Sequence, residues 1–290
     1  MISLQSLSYF DEDVSFSMPE KETMQLSVRR FDRLHPEISG NKWFKLQDWL
    51  SDMRKDEVVL SFGGAYSNHL LALSAAGKEL GIKTIGIVRG EEVQNPWIST
   101  MLKNGMLLHY VSREAYRLKN QDSFLNDLQK QFGHCRIIPE GGAGSTGIDG
   151  AMGMVNDVEL YDWIALPGGT GTSAAGIAKK LQSVSCKVLC FQVLKGDSIL
   201  KSELKETSGF DVEQFRNLQI DCEYHFGGYA KSNEALRNFQ KQWIEQTGIP
   251  IDLIYGSKAL YGLYDKFQMD LFGENPSVLY IHTGGLGPII

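Results

Sequence analysis

The chain has 290 residues, 42% hydrophobic and 22% charged, with a net charge of -6, a globular composition long enough to bury a sizeable core. The mild acidity and scattered basic residues exclude nonspecific nucleic-acid binding, and no apolar stretch approaches the ~20 residues of a membrane span. Four cysteines (Cys135, Cys186, Cys190, Cys222) show no CxxC pair and no Cys/His ligand spacing, so reduced thiols, buried at Cys186 and Cys190, a cytoplasmic setting and no catalytic metal are expected.

Met1 to Ser17 carries Asp11, Glu12 and Asp13 without a basic start and apolar run, so it does not read as a signal peptide. Gln25 to Phe31 is extended. Val58 to Phe62 reads as a buried strand, followed by Gly63-Gly64 and a helix from about Ser67 to Leu80. Lys83 to Val88, Met106 to Val111 and Arg136 to Ile138 are further strands, with helices at Trp97 to Lys103 and Glu114 to Phe132. Glycines crowd the stretch from Gly141 to Gly153, a hinge or crossover. The pattern then restarts: Trp163 to Leu166 as strand, a glycine-rich turn, a helix from Ser173 to Gln182, a strand from Lys187 to Val193, a helix from Asn233 to Thr247 and a last strand from Val278 to His282. Strand–helix alternation predicts parallel sheets with helices on both faces, an α/β fold in two units.

Three segments carry chemistry. Pro167 to Gly176, PGGTGTSAAG, lies between a predicted strand and a predicted helix. Its glycines turn the backbone so that successive N–H groups converge, the helix start adds unpaired donors and partial positive charge, and Thr170, Thr172 and Ser173 add hydroxyls. No lysine follows the last glycine, so this is not a nucleotide P-loop. The cup suits a monophosphate such as that of pyridoxal 5'-phosphate. Ser39 to Leu46, SGNKWFKL, puts Lys42 at a helix start near Lys45, a locally positive place that lowers an amine's pKa and favours Schiff-base chemistry. Phe62 to His69, FGGAYSNH, offers Ser67 as a helix cap and main-chain donors at Asn68 and His69 for a carboxylate. Taken singly, these segments also fit a ligand-free turn, a surface lysine and a plain serine cap. His69 is equally a structural helix-start residue, His282 reads as a satisfied core residue, and Trp43, Phe44 and Trp49 read as packing.

Together, in this order, the motifs resemble the 1-aminocyclopropane-1-carboxylate (ACC) deaminase and D-cysteine desulfhydrase family. Asp252 to Ala259, DLIYGSKA, resembles its D-P-V-Y-x-G-K-[AS] segment, Ile281 to Gly285 its I-H-T-G-G strand end, and Tyr229 a tyrosine of its Y-G-x-P-N-[DE] segment. The likeness runs from about Leu26 to Gly285. It implies a tryptophan-synthase-β-like fold (fold type II), with residues 1–46 and 145–290 as a large cofactor-binding domain and 47–144 as a small α/β domain, and a cytoplasmic homodimer. It implies pyridoxal phosphate joined to Lys42 and a small amino-acid substrate. Gly169, Thr170, Gly171, Thr172 and Ser173 would hold the phosphate, Asn68 the pyridoxal oxygen, and Tyr255 would lie against the ring. Ser67, Asn68, His69 and Tyr229 would face the substrate. For D-cysteine, Lys42 would remove the Cα proton and the β group would leave, giving a 2-oxo acid and ammonia. For ACC, a hydroxyl from Ser67, Tyr229 or Tyr255 would matter more.

Some positions depart from the family pattern. Gly256 stands where ACC deaminases carry a glutamate facing the pyridine nitrogen and where the desulfhydrase branch has a hydroxyl residue. Thr283 is the candidate replacement, and a neutral hydroxyl there suits β-elimination. Tyr66 stands where the family usually has glutamine, and Trp43 and Phe44 replace smaller or polar residues. Racemisation, β-replacement, cofactor binding without turnover and a phosphate-binding module are the competing readings.

Overall fold

Apolar runs bounded by glycine become the strands, and the amphipathic runs between them become the helices. The computed structural model describes residues 9–287 apart from 157, 159, 160 and 198. Residues 1–8 of the acidic opening segment lie outside it. In chain order come β1 (Asp11–Phe16), β2 (Met24–Arg29), α1 (Asn41–Leu50), β3 (Val58–Gly64), α2 (Asn68–Leu80), β4 (Lys83–Arg89), α3 (Pro96–Lys103), β5 (Leu107–Val111), α4 (Arg113–Tyr116), α5 (Asp122–Phe132) and β6 (Arg136–Ile138). The second run holds α6 (Ser145–Ala151), β7 (Trp163–Gly168), α7 (Thr172–Lys180), β8 (Lys187–Gln192), α8 (Ile199–Ser208), β9 (Leu218–Asp221), α9 (Glu234–Thr247), α10 (Gly256–Gln268) and β10 (Val278–Ile281).

The strands form two sheets, one ordered β5-β4-β3-β6 and parallel throughout, the other ordered β1-β2-β10-β7-β8-β9. In the larger sheet β2, β10, β7, β8 and β9 run parallel, but β1 pairs antiparallel with β2, so that sheet is mixed rather than purely parallel. The strand-by-strand alternation makes three layers. On β7, Ile164 and Leu166 pack with residues of α1, α6 and α7, whereas Trp163 and Ala165 face α9 and α10. On β3, Val59 joins the α2 side while Leu60 and Phe62 join Leu128 of α5.

The helix expected over Glu114 to Phe132 is broken into α4 and α5 by a turn at residues 117–121, where Arg117, Leu118 and Lys119 bond back to the last turn of α4. Asn120 is a weak helix former, and Asp122 starts the next helix with favourable charge. The glycine-rich stretch is the crossover from β6 to β7, and it works by close packing. A Cβ on Gly150 would sit 2.4 Å from the Phe44 carbonyl, and one on Gly176 would sit 2.5 Å from the Ile148 carbonyl. Two glycines therefore let α6 wedge between α1 and α7, which fixes the separation of those helices' N-termini. Trp43 and Phe44 are core residues, and Cys135, Cys186 and Cys190 are buried free thiols. No helix among the described residues is long and apolar enough to cross a membrane.

Candidate active site

The C-terminal ends of β3, β4, β7 and β10 all open on one cleft of about 1530 Å³, lined from both sheets. Parallel α/β sheets bind ligands at such strand ends. The residues expected to touch cofactor or substrate all border it: Lys42, Ser67, Asn68, His69, the turn from Gly169 to Ser173, Tyr229, Tyr255 and Thr283.

The turn after β7 delivers its glycines to the N-terminus of α7, where Gly171 holds φ +75° as the residue before the helix. Only glycine adopts that conformation freely, and a Cβ there would also meet Leu200 Cδ2 at 2.4 Å. Thr170 and Thr172 hydroxyls share a hydrogen bond of 2.9 Å. The first amides of α7 lack partners within the helix and point outward, so the turn is a ready anion cup.

Lys42 stands at the first turn of α1. Its Nζ donates to Asn41 Oδ1 at 2.8 Å, and Asn41 Nδ2 donates to Ser173 Oγ at 2.9 Å, so one side chain ties the amine to the cup. Burial pulls the Lys42 pKa down to about 8, while the negative charge of Asp252 pulls it back up. The expectation that Lys45 does this is corrected: desolvation dominates. Lys45 is itself 3% exposed, and burial, with the charge of Lys42, drives its pKa well below the usual lysine range.

Ser67 caps α2, accepting from the Leu70 amide at 3.2 Å, which leaves its hydroxyl proton free for the cleft. His69 is buried. Ser61 Oγ gives its one proton to the Ile138 carbonyl (2.7 Å), so the 2.8 Å contact between Ser61 and His69 must be donated by His69 Nε2. That assignment leaves His69 Nδ1 a neutral acceptor without a partner among the described residues. Burial and the two lysines hold the ring below the usual histidine range.

Tyr255 packs against the cup, its ring 3.2 Å from where a Gly169 Cβ would lie, and Tyr229 meets it edge-on at 6.2 Å. Burial raises both phenols, so they keep their protons at neutral pH. Thr283, just past β10, borders the cleft, but Gly256 does not, and its open side faces Asp252 Oδ2 at 3.2 Å. His282 donates to the Pro250 carbonyl from Nε2 and accepts the Gly284 amide at Nδ1, a satisfied core residue.

Sequence reasoning missed three supports. The Asp252 carboxylate accepts the amides of Ile254, Tyr255 and Gly256 at 2.6 to 3.0 Å, setting the start of α10. Trp97 Nε1 donates to Asn68 Oδ1 at 2.8 Å, which turns the Asn68 amide nitrogen toward Gly285. Lys258, fully buried, donates to the carbonyls of His225 and Gly228 and so fixes the segment before Tyr229. Asp252 and Lys258 stand in the DLIYGSKA segment marked by the resemblance and Trp97 in an expected helix, but nothing local pointed to the contacts they make.

A family model described as pyridoxal-phosphate dependent enzyme matches residues 31–284. A Pyrococcus horikoshii protein provisionally named 1-aminocyclopropane-1-carboxylate deaminase is 27% identical over 278 residues, covering 89% of this chain and 84% of that protein. The mitochondrial bifunctional D-cysteine desulfhydrase/1-aminocyclopropane-1-carboxylate deaminase of Arabidopsis thaliana is 26% identical over 296 residues, covering 90% of this chain and 72% of that protein. Among solved structures, an ACC deaminase homologue superposes with a TM-score of 0.74 at 26% identity, covering 91% of this chain and 85% of that one.

Proposed function

The chain belongs to the pyridoxal-phosphate dependent enzyme family, and from that premise we propose that it is a lyase or deaminase that converts a small amino acid to a 2-oxo acid and ammonia, with β-elimination from a D-cysteine-like substrate favoured over ring opening of ACC. Its cofactor is pyridoxal phosphate. The cleft fits that group. An amine whose pKa burial pulls down to about 8 is tied through Asn41 to a cup that side chains at Gly169 and Gly171 would fill. That link is the observation carrying the reading. On the same reading, residues 47–144 are a small domain against a cofactor-binding one of 1–46 and 145–290. The family likeness brings a homodimer into the proposal.

When bound, the cofactor withdraws electrons from the substrate's α-carbon, so that a bond there can break. The chain's residues supply the rest. Lys42 would hold the cofactor's aldehyde carbon through Nζ, and the same amine would be the group that takes the substrate's Cα proton. Gly169 to Ser173 would hold the phosphate, and Tyr255 would lie against the ring. The Asn68 amide nitrogen would donate to the ring oxygen. The Ser67 hydroxyl and nearby amides orient the substrate carboxylate, with Tyr229 on its other side. Thr283 would offer the ring nitrogen a neutral hydroxyl, and among the described residues no carboxylate from residues 252–256 borders the cleft. A ring nitrogen left unprotonated would be the weaker electron sink, which supports loss of a good β leaving group over ring opening. The test is product release from the holoenzyme: pyruvate from D-cysteine supports the reading, 2-oxobutyrate from ACC alone reverses the preference, and inverted enantiomer without oxo acid would make the chain a racemase.

A further inference from the structure

We propose that the cleft selects amino acids whose side chain carries a second negative charge, and that Arg89 is the residue that recognises it. The inference rests on the reading that the cleft holds an amino acid and revises its substrate: a neutral β substituent such as the thiol of D-cysteine would bind more weakly than an anionic one. Arg89 is the last residue of β4, and that strand end carries it to the cleft wall. One guanidinium nitrogen lies 3.7 Å from where a Gly64 Cβ would be, and among the described residues nothing else beyond the adjoining Gly63 and Ala65 comes within 4 Å of that point. The guanidinium therefore borders open space beside the loop that begins at Gly64 and ends at Ser67 and Asn68. Its carbon sits 5.6 Å from the centroid of the Tyr116 ring, which supports it from beneath. Tyr229 faces it across the cleft closely enough for the charge of Arg89 to favour the Tyr229 phenolate, against the larger effect of burial.

Arg89 is exposed and carries no ion pair among the described residues; Arg113 and Arg117 border the same cleft and also carry none, and it is the position beside Gly64, at the start of the loop to Ser67, that favours Arg89. Arg29 and Arg30 are locked onto Asp11 and onto Glu12 and Asp32. Among the described residues, no carboxylate lies within 4.0 Å of Arg89 and no protein acceptor takes its hydrogen bonds. Glu91 and Glu140 border the same cleft, but Glu140 is taken by Lys119 at 3.4 Å and neither pairs with Arg89. A guanidinium with a free fork of donors on a cleft wall matches a planar carboxylate or a phosphate. The substrate's own α-carboxylate already has the Ser67 hydroxyl and the amides at the start of α2. The anion that suits Arg89 is a different one, farther along the side chain.

The experiment titrates amino acids into the holoenzyme and reads the visible band of the bound cofactor, in pairs that differ in side-chain charge: the isosteric aspartate and asparagine, and O-phosphoserine against serine, each as both enantiomers. Wild type is expected to bind the charged member about tenfold or more tightly, and Arg89→Gln to erase that preference while leaving the neutral member within twofold. Arg89→Lys, which keeps the charge, is expected to retain part of it. The pair with the larger preference identifies carboxylate or phosphate as the anion. Equal binding within both pairs in wild type overturns the proposal and leaves the amino-acid reading intact. Equal weakening of both members by Arg89→Gln also overturns it, because Arg89 would then serve the α-carboxylate or the fold. Absence of any spectral response to any amino acid removes the amino-acid reading, and this proposal with it.

Discussion

The buried amine of Lys42 makes a quantitative prediction about how the apoprotein captures its cofactor. Only a neutral amine attacks an aldehyde. With its pKa drawn down to about 8 by burial against the opposing charge of Asp252, about a tenth of Lys42 is neutral at pH 7, about half at pH 8 and about nine-tenths at pH 9. The capture rate at fixed cofactor concentration should therefore rise about fivefold from pH 7 to 8 and less than twofold from pH 8 to 9. A solvent-exposed lysine would gain about tenfold at each step. Stopped-flow absorbance after mixing apoprotein with pyridoxal phosphate measures the rate. Asp252→Asn removes the charge that favours the ammonium, so its midpoint should fall below that of wild type. A tenfold rise per pH unit continuing past pH 9 would refute the argument that burial governs this amine.

The same burial has a stability consequence whose sign follows from linkage. Between the lowered folded pKa and the unfolded value near 10.5, the unfolded chain binds more protons than the folded one, so wild type gains stability as pH rises through that window. Lys42→Met should accordingly make the apoprotein more stable at pH 7, by on the order of 1–3 kcal/mol, with the gap closing toward pH 10 in urea-unfolding curves. Gly171→Ala combines a left-handed backbone with a clash on Leu200. At about 2–4 kcal/mol of strain placed on the cup, it should weaken cofactor binding more than tenfold in equilibrium dialysis while leaving Lys42 able to react slowly. Trp97→Phe deletes the bond that orients Asn68 and should cost about 1 kcal/mol, near fivefold, in cofactor affinity, with a shift of the bound visible band that a purely structural loss would not cause.

The parts of the fold that the sequence made plain are those where burial forces a pattern. Central strands such as β3, β4 and β7 are covered on both faces, so they read as continuous apolar runs between glycines. β1 has the sequence DEDVSF and sits at the sheet edge, largely out of the core. An edge tolerates such charge, so no apolar signal marks it. The site divides the same way. Gly171, Ser67 and Lys42 occupy turns and helix starts whose chemistry is local, and although each segment taken singly also fits an ordinary turn, cap or surface lysine, their order along the chain marks them. Arg89, Trp97 and Asp252 matter because β4, α3 and the start of α10 converge in space, and no local pattern encodes that meeting. Lys42 shows both halves: the i, i+3 spacing with Lys45 placed two amines on one helix face, but only the folded chain covers that face and makes desolvation the dominant cause of the lowered pKa.

The most direct test of the account is chemical. Holoenzyme treated with borohydride and digested should yield one peptide bearing the reduced phosphopyridoxyl mass, with fragmentation assigning it to Lys42, and Lys42→Ala should yield none. The same label on Lys45 or Lys258, or an unlabelled protein that still binds the cofactor and turns over, would contradict it.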